Sequence, residues 1–255
     1  MTSYPRSILV WTISLAIAGL WSVPGRAATV SSNPVADAFV TPGSDGSLSG
    51  NNYGGAGIMG VAGPGKPQGE FQSVLRFDLA STKTAFDLQF GAGQWTIQSV
   101  TLQLTAAPAN NAILNAPSAG NFAISWMQND SWTEGTGTPT SPTTTGITWN
   151  TLPGFLGASD EALGTFAFNG ASSGSTSYTL NLTSGFSLDL SGGNLASLRI
   201  LSADSNVSYL FNTRNFGTVA SRPVLNVTAV PEPGSIALSL IGFSLLIGLK
   251  LRRRG

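Results

Sequence analysis

Four tryptophans lie in the central part of this 255-residue chain: Trp95, Trp126, Trp132 and Trp149. Trp132 and Trp149 stand beside Asp130, Glu134 and Asn150. An exposed indole face packs against the C–H bonds of a pyranose ring, and carboxylates or amides at its rim hydrogen-bond sugar hydroxyls. Trp132, Trp149, Asp130 and Glu134 therefore form a candidate carbohydrate-binding platform, with Trp132 as its expected exposed face. The competing reading makes Trp126 and Trp149 strand residues that fill a core, and Trp132 a cap at its end.

Other side chains suggest weaker chemistry. Asp37, Asp45, Asp130, Glu134, Asp160 and Asp204 supply oxygens that suit a structural Ca²⁺, but no D-x-D-x-D-G spacing organises them. A glycosidase needs two carboxylates roughly 5–10 Å apart, and Asp130/Glu134 or Asp160/Glu161 supply such pairs. Any pair of surface acids meets that condition, so it discriminates nothing. The chain has no His and no Cys, which excludes a Ser-His-Asp triad, a thiol nucleophile, a Cys/His zinc site and a disulfide framework. The expected role is non-enzymatic. Arg76, set between apolar neighbours in Leu75-Arg76-Phe77-Asp78, is expected to face solvent or form an ion pair with Asp78 or Asp37.

These residues sit in an unusually uncharged chain: 9% charged, against roughly 25% in an average soluble protein. The formal net charge is zero, but the ends and the interior differ. Arg6, Arg26, Lys250, Arg252, Arg253 and Arg254 lie in the end segments, leaving 6 basic against 11 acidic side chains between them once Glu232 is set aside. A mildly acidic interior argues against a nucleic-acid partner.

Both ends read as addresses. A short cationic start, the apolar run 8–21 and the small-residue exit Gly25-Arg26-Ala27 form a secretory signal pattern, with cleavage expected after Ala27. The alternative, a retained anchor, is disfavoured by the shortness of the run and by Pro24. At the other end, Pro231-Glu232-Pro233 precedes the apolar run 236–249 and then Lys250, Arg252, Arg253 and Arg254. That run is expected to form a transmembrane helix, its basic end cytoplasmic and residues 28–230 outside. The three-part tail resembles the PEP-CTERM sorting signal of Gram-negative bacteria. The resemblance implies an exosortase as processing partner, and delivery to the cell surface or the matrix of a biofilm rich in extracellular polysaccharide. The alternative is an ordinary tail anchor behind a Pro-rich linker.

Between the addresses, alternation with a period of two dominates. Val100, Leu102 and Leu104 face one way, and Phe122, Ile124 and Trp126, then Tyr178, Leu180 and Leu182, repeat the pattern. About ten short strands separated by Gly, Asn, Ser and Pro clusters predict an all-β domain over residues 28–229, a single antiparallel sandwich wetted on one face of each sheet. One helix is expected at 184–190, closed by Gly192-Gly193, and the segment 135–146 (GTGTPTSPTTTG) reads as a surface loop or flap. Ala36-Asp37-Ala38-Phe39-Val40, Asn52-Tyr53-Gly54, Leu75-Arg76-Phe77-Asp78, Asp130-Ser131-Trp132-Thr133-Glu134-Gly135, Ile147-Thr148-Trp149-Asn150 and Phe211-Asn212-Thr213-Arg214 follow in order. That series resembles the DNRLRE-type domain, a jelly-roll-like β-sandwich related to carbohydrate-binding modules, which implies extracellular polysaccharide as ligand. It departs from the family in the insert 136–145 and in Asn181, where Asp is common.

Overall fold

The computed structural model describes residues 26–110 and 113–232. The apolar runs 8–21 and 236–249, Pro233 and the arginines at 252–254 lie outside the described residues. Among the described residues no helix is long and apolar enough to cross a membrane.

Strands follow the alternation. In chain order they are β1 (Ala28–Ser32), β2 (Pro34–Val40), β3 (Ile58–Ala62), β4 (Gln72–Asp78), β5 (Trp95–Thr105), β6 (Gly120–Met127), β7 (Glu161–Phe168), β8 (Ser175–Leu180), β9 (Leu195–Ser202), β10 (Ser208–Asn212) and β11 (Val224–Pro231). They form a four-stranded sheet in the order β1-β11-β5-β8, a five-stranded sheet β2-β4-β9-β6-β7 and a pair β10-β3. Every pairing is antiparallel. Val100, Leu102, Leu104, Leu225 and Val227 of the smaller sheet share one core with Leu75, Phe77, Phe122, Ile124, Leu198 and Ile200 of the larger. The chain is thus mostly β, an arrangement consistent with a β-sandwich.

The expected alternation is cleanest in the four-stranded sheet, where β5 from Val100 to Leu104 and β11 from Leu225 to Ala229 bury every second residue. The five-stranded sheet departs from it. In β2 and β4 nearly every residue is buried, because a second apolar cluster covers the outer face: Ala36, Ala38, Val40 and Val74 meet Met127, Trp132, Ile147 and Leu152 there.

Two helices cap one end. α2 (Ser184–Gly192) lies where the sequence places a helix and stops at Gly193, whose φ of 70° is the left-handed conformation that favours glycine. α1 (Ala80–Phe90) is not foreseen by the sequence pattern, since it buries only Thr82 and Phe86. Its start is fixed by Asp78, whose Oδ1 accepts the Ala80 N–H at 3.0 Å. Its last turn is fixed by Asp87, which pairs with Lys83 and accepts the Trp95 indole N–H at 2.8 Å. Phe86 then meets the Trp95 ring at a centroid distance of 5.0 Å in the core. β1 is not foreseen by the sequence pattern either, since its five residues bury only Ser32 and carry no large apolar side chain beyond Val30.

Candidate functional site

The residues expected to bind sugar belong to segment 128–160, which leaves β6 and crosses the outer face of the five-stranded sheet. That face offers small side chains from β2 (Ala36, Ala38, Val40), leaving room for a large ring. Trp132 fills it. It is 1% exposed, so the expected bare aromatic face does not exist at this position. Its burial has a polar cause as well as an apolar one: the Trp132 Nε1–H donates to Ser197 Oγ at 2.9 Å, inside the cluster. Trp149 packs against the same cluster and is partly buried, while Asn150 beside it is exposed.

Arg76 clamps the segment from below. Its guanidinium carbon lies 4.8 Å from the Trp132 ring centroid, a cation–π distance, and its Nη1–H groups donate to the carbonyls of Asp130 and Trp132, both at 2.7 Å. The expected ion pair with Asp78 or Asp37 is absent. β4 turns Arg76 to the outer face with Val74, whereas Asp37 lies on the inner side of β2 with Phe39. Asp130 is half-buried over this clamp. Burial pushes its carboxyl above the usual carboxylate range, partly offset by hydrogen bonding from Ser197 and by the charge of Arg76.

Glu134, two residues beyond Trp132, forms a bidentate pair with Arg214: Nε–Oε1 at 2.6 Å and Nη2–Oε2 at 2.5 Å. Its Oε1 also accepts the Asp37 N–H at 3.0 Å, closing the open edge of β2. Asp37 in turn accepts the Arg214 N–H through Oδ2 at 2.7 Å. Asp37 is fully buried and its Oδ1 has no hydrogen-bond partner. Desolvation, opposed by that backbone hydrogen bond, pushes its carboxyl up to about 7; neighbouring Glu134 adds to the rise.

Asn52 joins the parts. Its Nδ2 donates to the carbonyls of Glu134 and Ile147, each at 2.7 Å, and its Oδ1 accepts the N–H groups of Gly54 and Gly137 at 3.1 and 3.2 Å. Its own N–H donates to Thr143 O at 2.7 Å. The segment read as a flap is therefore pinned along its length. Gly135 makes this approach feasible: φ is 76°, and a Cβ there would lie 2.2 Å from Asn52 Oδ1. Asn52-Tyr53-Gly54 stands in the sequence only as one member of the motif series above; the partners of Asn52, some 80 to 95 residues away, carry no local signal.

The other acids do not gather. Asp45 Oδ1 accepts the Ser47 N–H, Asp160 accepts those of Gln128 and Gly157, Glu161 those of Gly185 and Phe186, and Asp204 those of Asn121, Asn206 and Val207. Each carboxylate thus fastens nearby backbone, and no group of three or more potential metal-ligating side chains occurs among the described residues. Ala27 is exposed just ahead of β1. Pro231 closes β11 opposite Trp95, and the Glu232 N–H donates to Gln94 O at 2.9 Å. What the Trp132 region does chemically is cross-link the fold: one indole, two guanidinium groups and one amide fix a long segment to a sheet. No protein-family model and no curated protein matches this chain.

Proposed function

We propose that this chain is an exported, non-enzymatic protein of the cell surface or extracellular matrix, first tethered by its C-terminal apolar segment and then processed by an exosortase. In this reading, residues 1–27 are a signal peptide, 28–229 a jelly-roll-like β-sandwich of the DNRLRE kind, and 230–255 a PEP-CTERM signal with helix 236–249. One observation supports it above the rest. β1 begins at Ala28 and pairs Ala28 with Ala229 of β11, so the segments read as leader and sorting signal leave the β unit side by side. A unit whose two exits adjoin can be served by one membrane surface.

The partner at the destination is extracellular polysaccharide. With Trp132 enclosed, contact falls to the hydroxyl-rich surface of 138–145, to Asn150 and to the open part of Trp149. A second reading drops the ligand and makes the domain a structural or self-associating matrix component. It is favoured by the same burial of Trp132.

Fractionation of the producing cell with mass spectrometry of the product tests the reading. The expected product starts at Ala28, lies in the envelope or outside it, and loses its tail only when an exosortase is present. Full-length chain in the cytoplasm with both apolar runs intact overturns it. Retention of the wild type and a Trp149→Ala variant on a gel of the host's exopolysaccharide separates the two readings: retention weakened by the substitution supports the ligand, and no retention of the wild type favours the second.

A further inference from the structure

Large apolar side chains exposed on the described residues are few: Val35, Leu88, Leu182, Leu188, Leu195 and Val219. Their placement is not even. β11 ends at Pro231 opposite Trp95, the first residue of β5, and β1 begins beside that end. α1 connects the end of β4 to Trp95, and α2 connects the end of β8 to Leu195, which stands opposite Asp78, the last residue of β4. Leu88 on α1, Leu182 just before α2, Leu188 on α2 and Leu195 therefore share the end from which both chain exits leave. Val35, next to Pro34 opposite Phe77, lies on the same side. Val219 alone precedes the far end of β11.

Leu88 is 84% exposed and Leu188 69%, far more than a core-facing helix stripe needs. Leu88 directly follows Asp87, whose carboxylate holds Trp95, the residue paired with Pro231. Only Pro233, Gly234 and Ser235 separate Glu232 from the apolar run 236–249. At about 3.5 Å per residue they reach roughly 10 Å. A headgroup layer is of order 5–8 Å deep, so a tethered chain holds this end at the lipid boundary. Exposed leucines in that position have a ready partner. Asp78, Asp87, Glu161, Asp189 and Glu232 outnumber Lys83 around it once the leader is removed, which favours zwitterionic over anionic headgroups.

We infer that the helical end, led by Leu88 and Leu188, is a membrane-seating face that rests in the zwitterionic headgroup layer while the chain is tethered. The inference rests on the tethered reading above and adds the orientation of the folded unit: β1 start and β11 end down, Val219 outward.

The absence of Cys allows single-site labelling of the full-length chain. Leu88→Cys, Leu188→Cys, Val219→Cys and Ser244→Cys would each carry an environment-sensitive fluorophore, in phosphatidylcholine vesicles containing doxyl-labelled lipid. Labels at 88 and 188 are expected to shift to the blue and be quenched by the doxyl lipid, with 244 quenched as well and 219 unaffected. Quenching at 244 with 88 and 188 as unquenched as 219 overturns the seating face and leaves the tether standing. No quenching at 244 overturns the tether and this inference with it. Shielding of 88 and 188 accompanied by energy transfer between copies, without lipid quenching, assigns the face to a second copy and overturns the inference too.

Discussion

Asp37 shows how one buried oxygen ties stability to pH. Its folded carboxyl titrates near 7, well above the ordinary value of 3.8, so the folded chain holds a proton that the unfolded chain gives up. By linkage, the stabilisation from the protonated carboxyl is full below pH 3.8, declines as pH rises from 3.8 to about 7 and is gone above that. Asp37→Asn keeps an acceptor for the Arg214 N–H and removes the titration. Comparing melting temperatures at pH 5 and pH 8 by scanning calorimetry, we expect the wild type to lose stability with rising pH, by a few kcal/mol, and the variant to show a flatter profile. Arg76 and Asn52 belong to the same scale. Arg76→Met keeps the stem but strands the carbonyls of Asp130 and Trp132, and is expected to cost about 2–4 kcal/mol in urea denaturation. Asn52→Ala removes both donors and the acceptor inside a site with no water access, and should cost at least as much.

Among elements, the long segment 128–160 behaves as a covering layer, held by Trp132, Asn52 and two arginines. Gly135→Ala brings a Cβ against Asn52 and forces a left-handed φ on alanine. The expected result is local release: faster proteolytic nicking between 136 and 146 than in wild type, with a smaller change in global melting temperature. Legibility in the sequence divides at this scale. β5, β6 and β8 are readable because one face meets the core and the other meets water, which writes a period of two into the residues. β2 hides its second face: Ala36, Ala38 and Val40 look like ordinary strand residues, yet they form the floor on which Trp132 lies. A residue near Asp and Glu in a loop resembles a ligand site whether those acids face solvent or, like Glu134, are spent on a distant arginine. α1 is illegible for the converse reason, since a helix that buries two side chains leaves no apolar stripe.

For the whole molecule, adjacency of the two exits is the property with the widest reach. β1 contributes its whole length to β11, from Ala28↔Ala229 to Ser32↔Leu225, so it covers the edge that β11 would otherwise present. Shortening the chain to begin at Asn33 is expected to lower the melting temperature and promote aggregation, read by calorimetry and light scattering, because the backbone of β11 then stands open.

The way β11 ends has one more effect. Pro231 is still a rung opposite Trp95, and the next amide is tied to Gln94. Any peptidase that grips the Pro-Glu-Pro stretch as an extended ligand competes with the domain for the same few atoms. Under the proposed processing, the final rung must fray before the tail is released, which would make the speed of release a readout of how firmly the strand is zipped.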